Sequence, residues 1–267
     1  MTELRDIECF LIDLDGVLYR GSQPTPGADS FLALLRRAGR KFLLLTNNST
    51  RTPEQNVDHL ASMGIHISPA ELLTSAQATA AYLATMVPAG TGVYFIGEDG
   101  VREALRQAGF MDAGMDATVV VVGLDRQLTY AKLRTAALAV RRGAQLIATN
   151  SDRTLPLEEG LVPGAGAILA AVETATDVRA TVIGKPHRPM FDIALRQIGA
   201  CPERTAIIGD RLDTDILGGH NAGLATILVL TGVARREEIE GAPVKPDWVF
   251  DNLEVLGQAC ARAWKMD

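Results

Sequence analysis

Short, almost continuously apolar runs alternate along this chain with stretches of helical period. IECFLID (residues 7–13), KFLLLTN (41–47), TAIIGD (205–210) and ATILVL (225–230) have the length and character of strands buried on both faces. GADSFLALLRRAG, PEQNVDHLASMG and PMFDIALRQIGA instead space their apolar residues three and four apart, as amphipathic helices do. Pro53 sits where a first helical turn tolerates proline, and Gly39 and Gly64 sit where helices stop. After TVIGK (181–185) the same order resumes, with DTDILGGHNAG as a further helix. Strand and helix in regular alternation predict an α/β fold with a mostly parallel sheet.

The stretch from about Ala80 to Ala180 holds an alternating set of its own. GVYFIGED, ATVVVVGL and AQLIATN read as strands, and VREALRQAG, TYAKLRTAALAVRRG and GAGAILAAVETAT as helices. A whole domain is tolerated inside a loop of another when its two ends lie close together. The expected organisation is a core of residues 1–79 and 181–267 interrupted by an α/β domain at 80–180.

Composition narrows the functional classes. The 267 residues are 47% hydrophobic, enough for a sizeable core. Lys and Arg number 26 against 32 Asp and Glu, and the pairs Arg36/Arg37, Arg141/Arg142 and Arg235/Arg236 are scattered. A nucleic-acid surface needs a contiguous basic patch, so none is expected. Cys9, Cys201 and Cys260 are too few and too irregular for a disulfide framework or a cysteine zinc site. The longest apolar run, ATVVVVGL, is far too short to span a bilayer, and MTELRDIECF lacks a signal-type apolar region. The expectation is a cytoplasmic protein with no membrane partner.

Chemistry-bearing residues stand where the predicted strands end: Asp13 and Asp15 in DLDG, Thr46 and Asn47 in TNNS, Lys185 in GKP, and Asp210 and Asp215 in GDRLDTD. In open α/β sheets ligands bind outside the carboxyl ends of strands, so residues distant in sequence can converge there. Each stretch taken singly has a plainer reading. DLDG suits a turn, TNNS a helix cap, GKP a solvated lysine, and GDRLDTD an acidic helix start. Only their combination and order favour a site.

The order DLDG, TNN, GKP, GDxxxTD resembles the haloacid dehalogenase-like hydrolase superfamily over essentially the whole chain. About thirty residues separate Asp15 from Thr46, too few for more than a short flap and helix, whereas Thr46 to Lys185 leaves room for a domain. That spacing, with TNSDRTLPLEEGLVPGAGA and GDRLDTDILGG, is similar to the NagD, 4-nitrophenyl phosphate and phosphoglycolate phosphatase branch, whose α/β cap lies between the second and third motifs. The resemblance implies a Rossmann-like core and hydrolysis of a phosphate monoester through an aspartyl intermediate. It makes Asp13 the nucleophile and Asp15 the general acid and base. It assigns Mg²⁺ to the Asp13 and Asp210 side chains and the Asp15 carbonyl, with Asp215 in support. Thr46, the Asn47 amide, Lys185 and, less centrally, Asn48 hold the phosphoryl group, and Gly16 lets the chain reverse.

The four histidines show no ligand spacing, so zinc is not expected. His187 follows GKP and reads as a packing histidine or one facing the pocket. Residues 150–166 read as the loop that meets the leaving group, with Asp152, Arg153 and Glu158 as contacts or as solvated loop residues. PGAGA is an incomplete dinucleotide fingerprint and reads as a glycine-rich helix start. Asp15 argues against a dehalogenase or the ATPase branch, and the early spacing argues against a phosphomutase. A catalytically silent module would lack one of the motif residues, and none is missing. Caps of this kind can pair, so a homodimer is a further expectation, and the phosphorylated substrate is left open among phosphoglycolate, nucleoside, sugar and pyridoxal phosphates.

Overall fold

The computed structural model describes residues 3–157 and 160–266. In chain order its first half runs β1 (Cys9–Asp13), β2 (Tyr19–Arg20), β3 (Gln23–Pro24), α1 (Ala28–Arg37), β4 (Lys41–Thr46), α2 (Pro53–Ala61), β5 (Leu72–Thr74), α3 (Ser75–Met86), β6 (Gly92–Ile96), α4 (Asp99–Gln107), β7 (Met111–Asp112) and β8 (Val119–Val122). It continues through α5 (Tyr130–Arg141), β9 (Gln145–Ala148), β10 (Thr154–Leu157), β11 (Gly160–Pro163), α6 (Ala165–Thr176), β12 (Thr181–Val182), α7 (Arg188–Ile198), β13 (Thr205–Gly209), α8 (Leu217–Ala222), β14 (Ala225–Val229), β15 (Trp248–Phe250) and α9 (Leu253–Ala263). The α/β class expected from the alternating pattern is the one observed. The chain divides into two compact units.

The first unit comprises the chain through Thr46, Val57–Leu73, and the chain from Phe191 onward. Its sheet has the order β15-β14-β13-β1-β4-β5, and every pairing from β15 to β4 is parallel. All five residues of β1 are buried, which explains its unbroken apolar run up to Asp13. Strand order reverses beside β1: one arm grows toward β4 and the other toward β13 and β14. Such a reversal opens a crevice at the carboxyl ends of the strands. Asp13 lies opposite Leu45, and Ile12 opposite Ile208, so the ends of β1, β4 and β13 are level.

Helix α1 buries Phe31, Leu32, Leu34 and Leu35 in this unit's core, each worth about 1.5–3 kcal/mol relative to exposure. Phe10 meets Phe31 and Trp264 edge to face, both at 6.0 Å between ring centres. Between β1 and α1 lies the short hairpin β2–β3. Burial holds the Cys9 and Cys260 thiols up at about 12.

The second unit comprises residues Asn47–Asn56 and Thr74–Met190. Its sheet, β12-β9-β8-β6-β7, is parallel throughout. Helix α3 starts on a capping box in which Thr74 Oγ1 accepts from the Gln77 amide (3.1 Å) and Gln77 Oε1 accepts from the Thr74 amide (3.0 Å). It then runs unbroken through residue 80 to Met86. Strand β12 pairs with β9, so TVIGK begins in this unit's sheet. The stretch read as a loop at residues 150–166 contains the antiparallel hairpin β10–β11, and α6 starts directly after Gly164. No helix among the described residues is long and apolar enough to cross a membrane.

Candidate active site

Three carboxylates gather at the carboxyl edge of the first unit's sheet. Asp13 ends β1, Asp210 follows β13 directly, and Asp215 sits in a π-helical turn, Leu212–Ile216, before α8. One oxygen from each lies within 4.8 Å of the other two. The residues are only 7%, 1% and 0% exposed. Like charges buried together repel strongly unless a cation neutralises them or a proton is taken up. The donors are all carboxylate oxygens, with no imidazole or thiolate, which suits a hard divalent cation. The cluster of Asp13, Asp210 and Asp215 can therefore hold a divalent metal ion.

Backbone holds these acids in position. The Val233 amide donates to Asp210 Oδ2 at 2.7 Å, and the Ala234 amide to the Asp210 carbonyl at 2.9 Å. Asp215 Oδ2 accepts from the Arg211 amide at 3.2 Å and the Thr214 hydroxyl at 3.4 Å. Gly16 and Gly232 press on the Asp210 carboxylate so closely that a Cβ on either would overlap it. Gly16 also has φ +81°, and its carbonyl accepts from Thr231 Oγ1 at 2.6 Å. Gly16→Ala is expected to weaken divalent-cation affinity about ten- to a hundredfold by displacing a ligand through its surroundings, and calorimetric titration checks it. Unchanged affinity would show that Asp210 keeps its position.

A further acid of the same turn has a cation of its own. Arg211 grips Asp213 through Nε (3.1 Å) and Nη2 (2.9 Å), which holds the Asp213 carboxyl below its usual range. The two acids of DLDG also differ. Asp13 is buried, whereas Asp15, beyond the buried Leu14, is exposed and pairs in an isolated bridge with Tyr19. The Gly16 amide closes this turn by donating to the Tyr19 carbonyl at 2.8 Å. Thr46, last in β4, is 2% exposed.

The remaining sequence-predicted residues belong to the second unit. Lys185 is 2% exposed, and the peptide joining it to Pro186 is cis. The Asn47 side chain meets the backbone of Lys185 at both of its polar groups and also meets Asp152. Asn48 Oδ1 accepts from the amide (2.9 Å) and hydroxyl (2.7 Å) of Thr50, forming a local turn. Partial burial holds the His187 imidazole below its ordinary value. Arg153 is exposed, and Glu158 lies outside the described residues.

Thr231, Gly232 and Val233 were not singled out from the sequence. Their signal was TG directly after the apolar run of β14, another strand end on the same edge.

Residues 10–111 match a family model described as haloacid dehalogenase-like hydrolase, and residues 182–256 match one described as HAD-hydrolase-like. Acid sugar phosphatase of Staphylococcus aureus is 42% identical over 253 residues, covering 94% of this chain and 96% of that protein. This chain belongs to the haloacid dehalogenase-like hydrolase family. Another relative of this hydrolase, the 5'-nucleotidase YutF of Bacillus subtilis, is 40% identical over 91% of the chain and 95% of its own length. Among solved structures, the 4-nitrophenylphosphatase of Thermotoga maritima superposes with a TM-score of 0.92 at 36% identity, covering 96% of this chain and 98% of that one. The motif order DLDG, TNN, GKP, GDxxxTD thus marks a haloacid dehalogenase-like hydrolase, as its resemblance implied.

Proposed function

We propose that this hydrolase is a Mg²⁺-dependent phosphatase that cleaves a small phosphate monoester through an aspartyl-phosphate intermediate. The observation that carries the reading is the buried Asp13–Asp210–Asp215 cluster at a parallel sheet's carboxyl edge, with an exposed acid two residues after Asp13. A phosphate monoester dianion repels nucleophiles, so catalysis rests on positioning and charge neutralisation. Asp13 and Asp210, with the Asp15 carbonyl and Asp215 in support, would hold Mg²⁺, which supplies that neutralisation when bound.

A carboxylate oxygen of Asp13 attacks phosphorus as the bond to the leaving oxygen breaks, and the Asp15 carboxyl delivers its proton to that oxygen. Asp15 then takes a proton from water as the water oxygen attacks phosphorus. The bond between phosphorus and Asp13 breaks, orthophosphate leaves, and Asp13 is regenerated. Lys185, the Thr46 hydroxyl and the Asn47 amide carry the phosphoryl oxygens, and Asn48 shapes the turn beside them. Residues 80–180 would be the inserted cap.

The names of the relatives, a sugar phosphatase, a nucleotidase and a nitrophenylphosphatase, favour a small phosphorylated metabolite over a phosphoprotein. The test is orthophosphate release from a panel of sugar phosphates, nucleoside monophosphates, phosphoglycolate and 4-nitrophenyl phosphate with Mg²⁺, ranked by kcat/KM. Release from none of them would overturn the reading. Asp15→Asn is expected to lower kcat about 10²- to 10³-fold while Mg²⁺ affinity stays the same, because a carbonyl ligand survives the substitution. Loss of Mg²⁺ binding in that variant would make the Asp15 side chain the ligand.

A further inference from the structure

We propose that the Asn47 side chain is the positioning residue of Lys185, with Asp152 setting the orientation of its amide. Asn47 Oδ1 accepts from the Lys185 amide at 2.8 Å, and Asn47 Nδ2 donates to the Lys185 carbonyl at 2.9 Å. One side chain thereby engages both backbone polar groups of a single residue, as a neighbouring strand would. A carboxamide offers an acceptor and a donor at that spacing, whereas a carboxylate cannot donate and an alkyl group does neither.

The rest of the network fixes Asn47 itself. Nδ2 also donates to Asp152 Oδ2 at 3.1 Å, so the amide cannot flip without setting its oxygen against a carboxylate. The Asn47 carbonyl accepts from Ser75 Oγ and Asn150 Nδ2, each at 2.7 Å. Asn150 Oδ1 accepts in turn from the Asp152 amide at 3.1 Å. Gly184 makes the close approach feasible, because a Cβ there would stand 2.6 Å from Asn47 Oδ1 and 2.5 Å from the Thr149 carbonyl. Ser75 opens α3 and Asn150 follows β9, so the clasp is anchored on regular elements of this unit.

The consequence for chemistry rests on the phosphatase reading, in which Lys185 neutralises the transferring group. A lysine ammonium stands at the end of four flexible bonds, and pinning the backbone narrows the positions it can reach. Misplacement by about 1 Å is enough to cost on the order of 10²-fold in rate. Asn47 therefore acts through Lys185 on kcat, and the carboxylate cluster of the first unit keeps its affinity for metal without it.

A double-mutant cycle on the full chain tests this. Asn47→Ala is expected to lower kcat about ten- to a hundredfold in the native background but less than about twofold on top of Lys185→Ala, and to leave the Mg²⁺ affinity of each background, by calorimetry, where it was. Equal losses in the two backgrounds would overturn the inference. Asn47→Asp retains the acceptor but loses the donor and faces Asp152, so it should fall below Asn47→Ala, and adding Asp152→Asn should recover about threefold or more. That pair decides the matter if Asn47→Ala does not fold, and absence of recovery counts against the proposal.

Hydrogen exchange of the Lys185 amide gives a readout independent of activity. It should speed up in Asn47→Ala, which removes the acceptor, and an unchanged rate there would dismiss the clasp even in an active phosphatase. A wild-type chain without phosphatase turnover but with this exchange response would instead overturn the phosphatase reading and leave the clasp standing.

Discussion

Asp13→Asn is expected to abolish orthophosphate release, by at least about 10⁴-fold in kcat, while the protein stays folded. Asparagine has nearly the shape of aspartate, so the packing around the end of β1 survives. Its amide oxygen carries no negative charge and is a poor nucleophile toward phosphorus. The substitution also removes one of three carboxylates whose oxygens lie within 4.8 Å of one another. Without metal, the folded state should then lose repulsion and its unfolding midpoint should hold or rise. The checks are single-turnover kinetics with 4-nitrophenyl phosphate and thermal unfolding in chelator. Retention of Mg²⁺-dependent turnover within about tenfold of wild type would remove Asp13 from the role of nucleophile. A collapse in midpoint would show that its carboxylate is chiefly structural.

The second large effect is expected at the cation. Chelation should suppress turnover, Mg²⁺ should restore it, and Asp210→Asn should weaken Mg²⁺ affinity by more than about 10²-fold, since even outer partners of metal ligands are worth ten- to a hundredfold. The choice of asparagine matters. Its side-chain oxygen can still accept from the Val233 amide, which donates to Asp210 Oδ2 at 2.7 Å, so the loop Thr231–Val233 keeps its anchor while the charge disappears. Turnover that returns at high Mg²⁺ would place the loss in binding. Native affinity in Asp210→Asn, measured by calorimetry, would mean that Asp13 and Asp215 suffice and that the cluster is read wrongly. Gly16→Ala perturbs the same carboxylate by crowding its Oδ2 and should produce a smaller shift in the same direction.

Much of this site was legible because its residues end predicted strands. Asp13, Thr46 and Asp210 each close an apolar run, and a parallel sheet brings such ends to one edge. Asp215 was given a supporting part, and the π-helical turn after β13 is what brings its carboxylate beside Asp13 and Asp210. A turn of that kind has no periodic signature. Val233 escaped attention for another reason: it acts through a backbone amide, and any residue except proline carries one.

Asn47 shows the same limit for a side chain. Its place after Thr46 suggested an amide aimed at phosphate, while its carboxamide grips a residue 138 positions away. Elements were lost where patterns were short or diluted. Strand β15 has three half-buried residues, β10 and β11 interrupt a glycine- and proline-rich stretch, and α3 is rich in alanine and threonine with little contrast between its faces. Helix α9 carries a clearer stripe of Leu253, Leu256 and Cys260 against the first core.

The sequence by itself determined the α/β class, the run of motif residues at strand ends and hence the family. Those properties depend on residue type and on neighbours a few positions away, and the period of apolar positions reports them directly. Tertiary structure decided which carboxylates meet, which glycines crowd Asp210, which of two nearby acids is buried, and what the Asn47 side chain holds. Each of these arises when groups far apart in the chain are packed together, and their energies depend on burial and separation, which exist only once the chain has folded.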